Sequence, residues 1–180
     1  MRIRVLATAV AVATISVVLP AFVHGASPGG IDQAALTTSL SPAERLDPPK
    51  PKPTPLSAAV IDLVNAERAA RGLAPMVGDQ RLELAAQRHS DDQAATRRMS
   101  HTGSDGSSLV DRLARVGFSW RSAAENVASG QTSAGSVMAA WMNSPGHRSN
   151  ILSTNTRIGV GFAVAADGRS YWTQVFATPR

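Results

Sequence analysis

Residues 157–177, RIGVGFAVAADGRSYWTQVFA, open with a strict alternation. Ile158, Val160, Phe162 and Val164 fall on one side of an extended chain, and Gly159, Gly161 and Ala163 fall on the other. One face is large and apolar and the other is nearly bare. A bare face is filled only when a second layer comes in close, so this segment demands packing on both sides. Ala166, Asp167, Gly168 and Arg169 separate the two runs and predict a hairpin turn.

The layers come from earlier in the chain. Leu56, Val60, Leu63 and Val64 stand at helical spacing, and Gly72, Leu73 and Pro75 stop that helix at about Arg71. Asp79 caps a second helix with the stripe Leu82, Ala85, Ala86 and His89, whose alanines suit close packing. A loop of Gly, Ser and Asp over 99–108 leads to a short helix with Leu109, Leu113 and Val116 inward and Gly117 as its stop. Val137, Met138 and Trp141 mark another helix over 133–144. Helices beside an antiparallel sheet give an α+β chain, a three-layer α-β-α sandwich with a central antiparallel sheet.

With 180 residues and 43% apolar content, the chain builds one core. Two arginines, an apolar run from Val5 to Leu19, Pro20 and small residues near Gly25 predict an export signal over 1–25. The run is short for a membrane span, so cleavage is expected, leaving a secreted, extracellular chain without a span. Residues 26–55 end in SPAERLDPPKPKPTP and read as an extended Pro-rich linker, either a spacer reaching through a cell wall or a pro-segment. The domain proper is 56–180, expected to be a monomer.

There is no cysteine, which excludes disulfides, thiolate metal sites and thiol nucleophiles. From Leu56 onward, 13 arginines stand against 10 acidic residues with no block of like charge. No basic stripe is interleaved with aromatics, so nucleic acid is not an expected partner. The last lysine is Lys52, which removes Schiff-base and phosphate-loop chemistry from the domain. Neither HExxH nor GxSxG occurs.

Six segments in order, LVNAERAARGLAPM, MSHTGSDGSS, AENVASG, WMNSPGHRSNIL, RIGVGF and YWTQVFA, resemble the CAP superfamily. That group holds cysteine-rich secretory proteins, venom antigens and plant pathogenesis-related proteins, and the likeness, over about Leu56 to Ala177, is to its bacterial, cysteine-free branch. The resemblance implies the α-β-α sandwich and a cleft lined by histidines and acidic residues, which in some members binds a divalent metal such as zinc. It places the loop histidine on His101 and the glutamate of the GEN segment on Glu125. The histidine of a GHFTQ-like stretch near the end is matched by SYWTQ, which puts Tyr171 there and leaves the usual set incomplete. His147, in SPGHRSNIL, is the candidate for a second imidazole.

Each candidate also has a local reading. His101 sits among small polar residues where no core needs an imidazole. Glu125 follows Ser122 at capping-box spacing, although Asn126 to Ala128 look extended. Pro145-Gly146 is a turn signal, so His147 turns the chain, lines the cleft, or does both. Asn126, Tyr171 and Gln174 are candidates for orienting ligand or substrate, or for ordinary polar packing. His89 lies in an apolar stripe and reads as a buried, hydrogen-bonded residue.

Two functions follow. One is a binding module whose cleft takes a lipid, a cell-wall component or an extracellular protein, with zinc or another divalent metal as a possible aid. The other is a metal-assisted hydrolase in which His101 and His147 hold the metal and Glu125 either completes the set or is the catalytic base acting on the bound water.

Overall fold

A computed structural model describes residues 54–180; the expected export signal and nearly all of the Pro-rich linker lie outside the described residues. Helix α1 (Pro55–Ala69) starts on Pro55, with the Thr54 side chain accepting from the Ser57 amide. Strand β1 (Val77–Gly78) is two residues long, and Asp79 caps helix α2 (Gln80–Thr96) by accepting from the Arg81 amide. Ser108 and Asp111 form a reciprocal capping box on α3 (Leu109–Arg115). Strand β2 (Trp120–Ser129), helices α4 (Ala134–Asn143) and α5 (Pro145–Ile151), and strands β3 (Arg157–Val164) and β4 (Ser170–Pro179) complete the order.

The four strands lie in the order β1-β3-β4-β2. The hairpin β3–β4 pairs Ile158 with Phe176 and Val160 with Gln174, and β2 runs antiparallel to β4 with Glu125 opposite Val175. Only β1 is parallel to its neighbour, through Val77 and Gly78, so the sheet is antiparallel except at that short edge. The Pro145-Gly146 stretch, read as a turn, is the first turn of α5, because Pro at the first helical position needs no amide partner.

The alternation in β3 sets the layers. Ile158 and Val160 join Val60, Val64, Val137, Trp141, Ile151, Trp172 and Phe176 in the larger core, beneath α1, α4 and α5. On the opposite face, a Cβ built on Gly159 would overlap the backbone of Leu82 and Glu83, and one on Gly161 the backbone of Ala86 and Gln87. The α2 backbone therefore rests directly on β3. Leu82, Ala86, Leu113, Phe118, Val175 and Ala177 fill the second core around that contact.

Arg68 is buried in α1 and donates to the carbonyls of Ala74, Ile151 and Ser153 at 2.8 Å each, with no carboxylate of the described residues within ion-pair reach. Burial pushes its pKa down. It ties α1 to the C-terminal end of α5, where carbonyls without helical partners favour a cation.

Candidate functional site

Alternation along β2 sends neighbouring residues to opposite faces of the sheet, and the candidate residues divide accordingly. Glu125 faces α2 and α3. Its Oε1 accepts from His101 Nδ1 at 2.9 Å and its Oε2 from Arg112 Nη2 at 2.6 Å. His89 Nε2 stands 4.0 Å from the same Oε1 and donates to the Ser100 carbonyl at 2.8 Å. Glu125, Arg112 and His89 are buried, whereas the His101 side chain is 61% exposed.

Arg112 organises this cluster. Besides Glu125, it donates to the carbonyl of His101 through both Nη atoms at 3.2 Å and to that of Ser107 at 3.0 Å. One guanidinium thus fixes the carboxylate and the loop that carries the imidazole. A buried ion pair is retained at a desolvation cost, and breaking one by removing a partner costs about 3–5 kcal/mol.

Asn126 points to the other face. Its Nδ2 donates to the His147 carbonyl at 3.1 Å and to Gln174 Oε1 at 3.0 Å, and its Oδ1 accepts from Asn150 Nδ2 at 2.8 Å. Asn150 Nδ2 also reaches the Glu125 carbonyl at 3.3 Å, and Trp141 Nε1 reaches that of Val127 at 3.4 Å. Side chains of α4 and α5 thereby occupy the outer side of β2, the free edge of the sheet. Asn126 and Gln174 are fully buried, so they position α5 rather than face a ligand.

His147, half-buried on α5, lies within electrostatic reach of His101. Burial first, and then the charge of His101, push its pKa down. The hydrogen bond to Glu125 raises that of His101, against a smaller opposing effect of burial. Burial lowers that of His89.

Of the sequence-derived candidates, His101 and Glu125 meet at the middle of β2, and His147 lies close enough to His101 for its charge to be felt. Tyr171 does not: it is buried with Ala94, Ala163 and Ala165 and pairs with Ser129, four residues along the strand from Glu125. Tyr171, which SYWTQ puts where the family's second histidine stands, packs as core here, because β4 is buried along nearly its whole length. The capping-box alternative for Glu125 also falls, since Ser122 lies in β2 and donates to Asn155 Oδ1 at 2.7 Å. Arg112 was not singled out from the sequence, where it reads as one more helical arginine. Asn150 reaches acceptors 24 and 25 residues away, a contact no local pattern signals.

A family profile described as the cysteine-rich secretory protein family, CAP, matches residues 61–176. The uncharacterised protein YkwD of Bacillus subtilis is 37% identical over 149 residues, 81% of this chain and 57% of that protein. The chain thus spans less than two thirds of that relative. An extracellular protein containing an SCP domain from Bacillus anthracis superposes with a TM-score of 0.62 at 31% identity, covering 68% of this chain and 40% of the other. An outer surface protein of Borrelia burgdorferi, 22% identical, has the same fold with a TM-score of 0.64 over 68% of this chain and 92% of its own.

Proposed function

The chain belongs to the cysteine-rich secretory protein (CAP) family, and on that footing we infer that it is a binding module, secreted or held at the cell wall, that recognises a lipid, wall component or extracellular protein at the surface carrying His101 and His147. The observation that carries this reading is the restraint on His101. Its ring is mostly exposed, yet its Nδ1 is tied to a buried carboxylate that is itself tied to a buried guanidinium. Such a network does little for stability that apolar residues would not do as well. It does hold an exposed imidazole at a fixed angle, with no hydrogen bond to Nε2 among the described residues, as a recognition group requires.

The donor set does not fit a zinc centre built by the protein alone. Zinc takes three or four protein ligands, and among the described residues no group of three His, Asp or Glu is placed to hold a metal. His101 and His147 supply two imidazoles, and both oxygens of Glu125 are engaged.

Co-sedimentation of the full chain with purified cell-wall sacculi and, separately, with phospholipid vesicles tests the reading. The parent is expected to pellet with one of them, and the His101→Ala/His147→Ala double variant to stay in solution. Equal pelleting of parent and variant overturns it. Hydrolysis of wall fragments or test peptides that disappears in Glu125→Gln would establish the enzymatic alternative instead.

A further inference from the structure

His101 is held through the residue in front of it as well as through its own ring. The chain leaves α2 at Arg97, in a left-handed conformation with φ of +53°, and runs to His101 without entering a helix or strand. Backbone of that kind has no ladder to satisfy it, so its polar groups depend on side chains. Ser100 is answered on both sides. Its amide donates to Gln93 Oε1 at 3.1 Å, and its carbonyl accepts from His89 Nε2 at 2.8 Å. His89 and Gln93 stand one turn apart on α2, each only 1% exposed. We propose that His89 and Gln93 are positioning residues for the recognition surface, which set the angle of the His101 ring by clamping Ser100. This deepens the binding reading above and rests on it only for the consequence that a ligand meets the ring at a set angle.

The clamp is referred to the sheet. Gln93 Nε2 donates to Thr173 Oγ1 at 3.1 Å, and the Ser90 hydroxyl reaches the same oxygen at 3.0 Å. The Gln93 amide is thus used at both ends with opposite polarity, and turning it over would lose both bonds. The height of α2 is fixed in turn by the bare face of β3, where a Cβ on Gly161 would strike the backbone of Ala86 and Gln87, just before His89. An exposed loop residue therefore takes its position from two central strands, from β3 through the α2 backbone and from β4 through Thr173.

The stripe that holds His89 does not itself call for a histidine. Leu82, Ala85 and Ala86 are apolar, and His89 leaves Nδ1 buried without a partner among the described residues. An aliphatic side chain would bury no such atom, so stability alone does not favour an imidazole there. What the ring supplies is a donor. A carbonyl only accepts, so Nε2 carries the proton toward Ser100. From α3, Arg112 holds the His101 carbonyl, and the pair 100–101 is gripped from two helices.

Imidazole NMR of the full chain with ring-labelled histidines tests this in the parent, His89→Leu, His89→Gln and Gln93→Met. Glu125, Arg112 and burial set the titration of His101; His89 and Gln93 are not among its causes, so a change in these variants reports movement of the ring. In His89→Leu and Gln93→Met the ring is expected to lose its fixed approach to Glu125 and to titrate nearer 6.5 than in the parent. His89→Gln, whose amide still donates toward the Ser100 carbonyl, should keep the parent value. Unchanged amide shifts along β3 show that the fold is kept, and Gln93→Met, which adds no charge and nearly preserves volume, decides if His89→Leu does not fold. A His101 titration that stays at the parent value in either folded variant overturns the proposal, and so does a His89→Gln shift as large as that of His89→Leu. Co-sedimentation separates the two readings: a parent that pellets with neither sacculi nor vesicles removes the binding reading, while the titration still decides how His101 is held.

Discussion

Glu125 is where residue-level chemistry concentrates. Its hydrogen bond is the largest cause of the raised His101 pKa, whereas burial dominates the lowered value of His89. Glu125→Gln is therefore expected to bring His101 back toward 6.5 while His89 continues to titrate below it, which imidazole NMR across pH 5 to 9 would read directly. A His101 value unchanged in Glu125→Gln would show that the pair is not coupled as the geometry says. His101 and Glu125 were legible in the sequence through their segments, MSHTG and AENV. Arg112 was not, because a helical arginine among 13 in the domain carries no mark of burial; only the fold brings it 2.6 Å from a carboxylate. Tyr171 stayed open between orienting a ligand and ordinary packing for a related reason: an aromatic in a strand pattern does not announce which end of the sheet it occupies.

At the scale of elements, the contact of α2 with β3 is the most exacting feature. Gly161→Ala puts a methyl into the α2 backbone, which has no flexible side chain to move aside. A loss of about 1–3 kcal/mol or more is expected in urea unfolding, against a gain of up to about 1 kcal/mol for Gly135→Ala, which lies in α4 and whose Cβ meets nothing within 4 Å. Equal effects would mean that α2 floats above the sheet. The two-sided packing was readable from the bare face of 157–163, since period and side-chain size are local properties. Helix α5 was not, because Pro-Gly marks a turn and a first helical turn alike, and what decides is the long-range bond from Asn126 to the His147 carbonyl.

For the whole molecule, the histidines give opposing pH dependences. His89 and His147 have folded pKa values below 6.5, so their contribution is present above 6.5 and lost as pH falls through the depressed values. His101 is raised, so its contribution is present below 6.5 and lost as pH rises through the raised value. Together they place a maximum of Tm near pH 6.5, with a shallower alkaline side because His101 is largely exposed. A thermal scan series should show it, and His101→Ala should remove the alkaline decline. Cysteine plays no part, so Tm should also be indifferent to reductant. The outer carbonyls of Glu125 and Val127, meanwhile, are occupied by Asn150 and Trp141 rather than left in a row. That end of the sheet gives a passing extended chain no template on which to add a strand, so the molecule guards its longest free border against the fibre-like stacking to which crowded sheet proteins are prone.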